Sequence, residues 1–89
     1  MTTRLTFNDE VRAEVIAASD KFPGQESSVD LGGWLAILVE EVGEVARELN
    51  ELLLDETQRD GFARRVRSEL VQVAAMAERM ALAVRIQVP

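Results

Sequence analysis

Trp34-Leu35-Ala36-Ile37-Leu38-Val39-Glu40-Glu41-Val42-Gly43-Glu44-Val45-Ala46 decides the fold of this 89-residue chain. Its apolar residues recur at three- and four-residue steps, the period of an amphipathic helix. At about 100° per residue, the pattern extends in both directions and puts Leu31, Leu38, Val42, Val45, Leu49 and Leu52 on one broad face. Glu40, Glu44, Glu48 and Glu51 gather on the other side, with Glu41 near the border. The spacing predicts a helix that begins between Asp30 and Trp34 and ends near Leu54.

Beyond it, Asp55 to Gly61 reads as a polar turn, with Asp60 as a cap for the next helix. That helix spans about Phe62 to Val84, and Pro89 closes the chain. On the N-terminal side, Phe22 to Gly33 reads as a loop rich in Gly, Ser and Asp. A first helix precedes it, from about Phe7 to Lys21. Thr6 or Asn8 can cap that helix, and Asp9 and Glu10 favour its positive end. Phe7, Val11, Val15 and Ala18 mark its buried stripe, and Pro23-Gly24 stops it. There is no convincing strand and no internal repeat.

The expectation is therefore a single all-α domain over residues 1–89, an antiparallel helical hairpin plus a short N-terminal helix. So short a chain buries only about 60–65% of its unfolded surface. One hairpin with a short helix makes a thin core. Two copies would complete a four-helix-bundle core, so a homodimer or homotetramer is expected.

One residue fits its surroundings poorly. Phe62, Val66, Val73, Met76, Met80 and Val84 fall within a narrow arc of the third helix, and Glu69 sits at the centre of that arc. Gln72 lies just to one side. An ionised carboxylate on a buried face must be paired, protonated or bound to a cation. The acid-rich border of the second helix offers no positive partner but further carboxylates, whose mutual repulsion a divalent ion would relieve. Glu41 and Glu44 are three residues apart on one face, and Glu69 and Gln72 repeat that spacing. Two such pairs facing each other would surround an ion with oxygens alone, which suits Mg²⁺ or Mn²⁺ and not zinc. A buried ion pair of Glu69 with Arg47 or Arg65 is the alternative, and a solvated acidic face is the bland reading of the rest.

Composition narrows the chemistry. There is no cysteine and no histidine, so disulfides, Cys-based zinc sites and the commonest general base are excluded. Carboxylates, hydroxyls, Lys/Arg or a hard oxygen-bound metal remain. A net charge of -6 argues against binding a nucleic-acid polymer but not against a nucleotide whose phosphates are bridged by Mg²⁺. No apolar run approaches the roughly 20 residues that span a bilayer, so no membrane contact is expected. Met1-Thr2-Thr3-Arg4 lacks the apolar core of a signal peptide, and a cytoplasmic location is the expectation.

The stretch from Trp34 to Ala46 resembles the first signature helix of the all-α nucleotide pyrophosphohydrolases. That superfamily includes MazG, the dimeric dUTPases, the small dCTP pyrophosphatases and phosphoribosyl-ATP pyrophosphohydrolase. Its pattern is E-E-x-x-E followed, after a variable gap, by E-x-x-D. Glu69-Leu70-Val71-Gln72 falls where the second half is expected, and Val73-Ala74-Ala75-Met76-Ala77 resembles its small-residue continuation. The resemblance covers roughly Trp34 to Val88. It implies a house-cleaning hydrolase that cleaves a nucleoside triphosphate between the α- and β-phosphates. Glu41, Glu44 and Glu69 would be Mg²⁺ ligands, with Gln72 beside them. Glu40 would help hold a second metal or orient the attacking water, and Glu40 or Glu44 would receive a proton. Gln72 departs from the family's Asp, because an amide can ligate a metal but carries no charge.

Lys21, Gln25 and Trp34 are the candidate substrate contacts, set against a helix-end lysine, a loop amide and a core anchor as the simpler readings. Arg64, Arg65 and Arg67 form a basic run that either meets phosphates or is a solvated turn paired with Asp60 or Glu56. The rival to the hydrolase is a catalytically weakened helical-bundle dimer that binds a nucleotide or metal, or serves as an interaction module.

Overall fold

Thr6 starts the first helix through a reciprocal pair of hydrogen bonds. Its Oγ1 accepts from the Asp9 N–H at 3.1 Å, and the Asp9 carboxylate accepts from the Thr6 N–H at 3.2 Å. This capping box satisfies two of the donors a helix leaves free at its N-terminus, and Asn8 is not the cap. The helix, α1, runs Phe7–Lys21 as the periodicity predicts. In this computed structural model the chain is described over residues 5–89, apart from the Glu56 and Gln58 side chains. Met1–Arg4, read for a signal peptide above, lie outside the described residues.

Among the described residues there is no strand, and the elements after α1 are α2 (Gln25–Ser28), α3 (Leu31–Leu54), a 3₁₀ turn (Glu56–Arg59) and α4 (Phe62–Gln87). The expected loop from Phe22 to Gly33 thus holds a helical turn of its own. Gly24 leads into α2 with φ 77, a conformation that favours glycine. Tertiary contacts make so short a helix stable. The Gln87 amide donates to the Glu26 carbonyl at 2.9 Å and to the Val29 carbonyl at 2.7 Å, fastening α2 to the far end of α4.

Asp30 caps α3, accepting from the Gly33 N–H at 2.6 Å. Gly33 is needed there, because a Cβ would meet the Val29 side chain at 2.9 Å. Asp60 does not cap α4 as expected. Gly61 holds that position with φ 74 and no side-chain cap, while the Asp60 carbonyl accepts from Arg65 at 2.9 Å. Asp55 instead caps the 3₁₀ turn, accepting from the Thr57 N–H at 3.0 Å.

The long helices run antiparallel: Trp34, early in α3, packs with Met76 and Ala83 of α4, and Glu48, late in α3, meets Arg65 near the start of α4. A second small core joins Val11 of α1 to Val71 and Ala75. α1 and α2 rest mainly on α4. The thinnest dimension is 19 Å, about two helix diameters. Among the described residues Trp34 is the one large side chain that is fully buried.

The packed faces are rotated from those the wheels predict. On α3, Leu31, Leu38, Val45 and Leu52 are half-buried, but Val42 and Leu49 are exposed, whereas Glu41, Glu44 and Glu48 are half-buried. On α4 the deepest residues are Val71, Ala75, Met76, Arg79 and Ala83, while Val84 of the expected arc is exposed. Small residues explain the shift, since Ala75 and Ala83 let neighbouring helices approach closely. Phe7 likewise lies at the edge of its stripe, with the Arg67 guanidinium 5.6 Å from its ring centroid.

Candidate functional site

Rotation of α3 turns its acidic border toward α4, and Glu41 carries the consequence. Its carboxyl is pushed above the ordinary value by burial, then by the charges of Glu69, Glu44, Glu40 and Glu14. Three helices therefore supply the field at this point: α3 gives Glu40, Glu41 and Glu44, α4 gives Glu69, and α1 gives Glu14. Among the described residues no ion pair compensates for it. Among the described residues the ion pairs are Arg12–Glu78, Arg65–Glu48, Arg67–Glu10 and Arg79–Glu26, and none includes Glu41, Glu44 or Glu69.

Glu41, Glu44 and Glu69 are half-buried and Glu40 is exposed. Among the described residues no three acidic side chains converge closely enough to hold a metal ion in this arrangement. The charges of these carboxylates thus reach Glu41 without the side chains being drawn onto one point. Gln72 is half-buried and lines a groove of about 540 Å³ between α1 and α4, together with Glu14 and Arg67.

The alternative partner for Glu69 is settled for Arg65, whose Nε donates to Glu48 at 3.0 Å. Arg47 is exposed and takes part in no ion pair among the described residues. The basic run is not a turn paired with the Asp60 carboxylate. Arg65 uses the Asp60 carbonyl, and Arg67 reaches across to Glu10 on α1. The Glu56 side chain lies outside the described residues.

The expected substrate contacts separate. Trp34 is 1% exposed, and the Arg79 guanidinium lies 4.8 Å from its ring centroid, so it is a core anchor here. Gln25 accepts from Arg79 Nη2 at 2.7 Å. Lys21 is exposed at the end of α1, 5.3 Å from the Phe22 ring centroid. None of the three lines the groove that holds Gln72.

Two features escaped the sequence. Glu14 was one, although it lies three residues after Val11 and four before Ala18, on the buried side of α1. The other is the Arg79 cluster. Arg79 is 3% exposed and Glu26 is 8% exposed, and Arg79 Nε donates to Glu26 at 3.0 Å. Burial raises the Glu26 carboxyl, but its own backbone N–H, the Arg79 guanidinium and the Ser19 side chain outweigh that and hold it below the ordinary value. No helix among the described residues is long and apolar enough to cross a membrane. No protein-family model, curated protein or solved structure matches the chain.

Proposed function

We propose that this chain is a MazG-like, Mg²⁺-dependent nucleoside triphosphate pyrophosphohydrolase, releasing a nucleoside monophosphate and pyrophosphate. The observation that carries the reading is Glu41, crowded by four carboxylates from three helices with no basic partner among the described residues. Such a set is all hard oxygen, the donor type that Mg²⁺ or Mn²⁺ prefers. Glu41, Glu44 and Glu69 would hold the ion, and side-chain rotation on adjoining helical turns is what would bring them onto it. A bound divalent ion supplies charge neutralisation at phosphate oxygens and activation of water. Glu40, exposed beside Glu41, would orient water or take its proton, and Glu44 would be the other proton acceptor. In-line attack on phosphorus asks for little beyond this positioning.

The same reading includes a homodimer, for a reason that lies in the exposed residues. Leu35, Val39, Val42, Ala46, Leu49 and Leu53 of α3 are all exposed and follow a strict four-three spacing. Val66, Leu70, Val73, Ala77, Met80 and Val84 of α4 repeat that spacing, and all are exposed or half-buried. Heptad seams pair with heptad seams, so a second copy would convert two helices into a four-helix core.

Gln72 favours the rival, a weakened bundle that binds metal or nucleotide without turnover. Pyrophosphate release from a panel of nucleoside triphosphates, with Mg²⁺ or Mn²⁺ at high protein concentration, separates the two. Turnover of any nucleotide that is lost in Glu41→Gln supports the hydrolase. No turnover of any nucleotide with either metal refutes it.

A further inference from the structure

Three arginines fall within the first turns of α4, and two of them are engaged inside the molecule. Arg65 is held by Glu48 and the Asp60 carbonyl, and Arg67 by Glu10 over the Phe7 ring. Arg64 differs. It is exposed and has no hydrogen-bond or ion-pair partner among the described residues. It also borders three surface grooves. One, of about 330 Å³, is shared with Ser68 and Glu69. A second, of about 540 Å³, is shared with Glu14 and Gln72. The third, of about 640 Å³, is shared with Leu5 and Ala63.

A free guanidinium therefore stands in one groove with Glu69 and in another with Glu14, and neither carboxylate has an ion-pair partner among the described residues. A polyphosphate with a divalent cation presents that pattern in reverse, cation toward the acids and phosphate oxygens toward the guanidinium. The planar fork of donors matches a phosphate better than a single ammonium would.

We propose that Arg64 anchors the polyphosphate of the nucleotide in the α1–α4 groove. The apolar wall formed by Leu5, Ala13, Ala17 and Val71 then lies beside the nucleoside. This moves the substrate away from Gln25 and Trp34, which are committed to Arg79. The assignment rests on the hydrolase reading for its ligand, but its test does not need turnover.

Inorganic tripolyphosphate with Mg²⁺, and Mn²⁺ alone, are titrated calorimetrically into the full chain. Wild type, Arg64→Gln, Arg64→Lys and Arg85→Gln are compared, with circular dichroism to verify that each is folded. Arg64→Gln weakens tripolyphosphate binding about tenfold or more, the scale of one charge-assisted contact. Arg64→Lys loses less, Arg85→Gln at the far end of α4 loses nothing, and Mn²⁺ affinity is unchanged in all. Equal affinity in wild type and Arg64→Gln, an equal loss in Arg85→Gln, or no binding by wild type overturns the assignment. Arg64-dependent tripolyphosphate binding without any Mn²⁺ binding upholds Arg64 and overturns the metal site instead.

Discussion

Arg79 and Glu26 form a buried ion pair at 3.0 Å that ties α2 to α4 from positions 53 residues apart in the chain. The guanidinium is enclosed on every side that matters. Gln25 accepts a second hydrogen bond at 2.7 Å, and the Trp34 ring lies 4.8 Å beneath. Gln87, about two turns further along α4, donates to the carbonyls of Glu26 in α2 and of Val29 just after it. The polar network thus does for the N-terminal segment what a larger apolar core would do elsewhere.

Removing one partner leaves the other charged and buried. Arg79→Met is therefore expected to cost about 3–5 kcal/mol, a large share of a small domain's stability. Combining it with Glu26→Gln removes the orphaned charge and should restore much of the loss. Urea unfolding of the single and double variants measures both steps. A single variant within 1 kcal/mol of wild type, roughly a surface-pair effect, would contradict the enclosure described.

The same pair sets an acid limb. The Glu26 carboxyl is held below its ordinary value of 4.5 in the folded protein. A group depressed on folding contributes stability that is fully present above 4.5 and is lost as pH falls through its lowered value. Glu26→Gln should flatten the acidic side of a plot of stability against pH, with neutral pH as the reference. An unchanged acid limb would assign that limb to other carboxylates.

Glu41 has the opposite sign. Its carboxyl is raised in the folded chain, so its penalty is absent below 4.5 and grows as pH rises through the raised value. Glu41→Gln should stabilise the metal-free protein by about 0.5 kcal/mol at neutral pH, the scale of relieving like-charge neighbours. That is roughly 2–4 °C in melting temperature for a domain of this size. Mg²⁺ or Mn²⁺ should raise the melting temperature of wild type and not of the variant. Protons compete for the same oxygens, so the metal effect should shrink as pH is lowered toward the Glu41 value. Thermal melts with and without metal at several pH values test each part.

How much of this the sequence carried depends on the kind of residue. α1, α3 and the start of α4 were legible because period and caps are local properties, and Thr6, Asp30 and Gly24 act within four residues. That Glu69 stands half-buried, with no ion-pair partner among the described residues, is what its apolar neighbours on the wheel led one to expect. The one-turn α2 was not, since its bonds come from Arg79 and Gln87, more than fifty residues away. Wheel arcs also mislocated the packed face of α4. They weigh Val and Met heavily, while the close approach is made at Ala75 and Ala83. Glu14 was missed because a carboxylate beside a buried stripe looks like solvated edge until a third helix is laid against it.

Gln72 offers a direct comparison between the two functional readings. It lines the α1–α4 groove with Glu14, and an aspartate there would add a charge beside that carboxylate. Gln72→Asp should tighten Mn²⁺ binding severalfold and lower the stability of the metal-free chain, because the added charge is repelled until a cation is present. If the natural chain is a weakened binder, the variant should also gain pyrophosphate release. Weaker Mn²⁺ binding in Gln72→Asp would place this residue outside the metal's reach.

The two apolar seams give the last test. Val42 lies midway along the α3 seam and is exposed in the single chain, so in a monomer a polar residue there should be neutral or slightly favourable. In a four-helix core the same position is buried, and a charge without a partner is costly. Val42→Glu and Val73→Glu are therefore expected to halve the assembly's mass while leaving helix content intact. Sedimentation equilibrium reads this directly. Wild type should give twice the 9.9 kDa of one chain, or a higher multiple, and both variants should give 9.9 kDa. The helical hairpin should survive in the variants because Trp34, Met76 and Ala83 pack within one chain. A wild type that sediments as a monomer at tens of micromolar would remove the dimer from the proposal, and leave the carboxylate crevice to be judged by its metal binding alone.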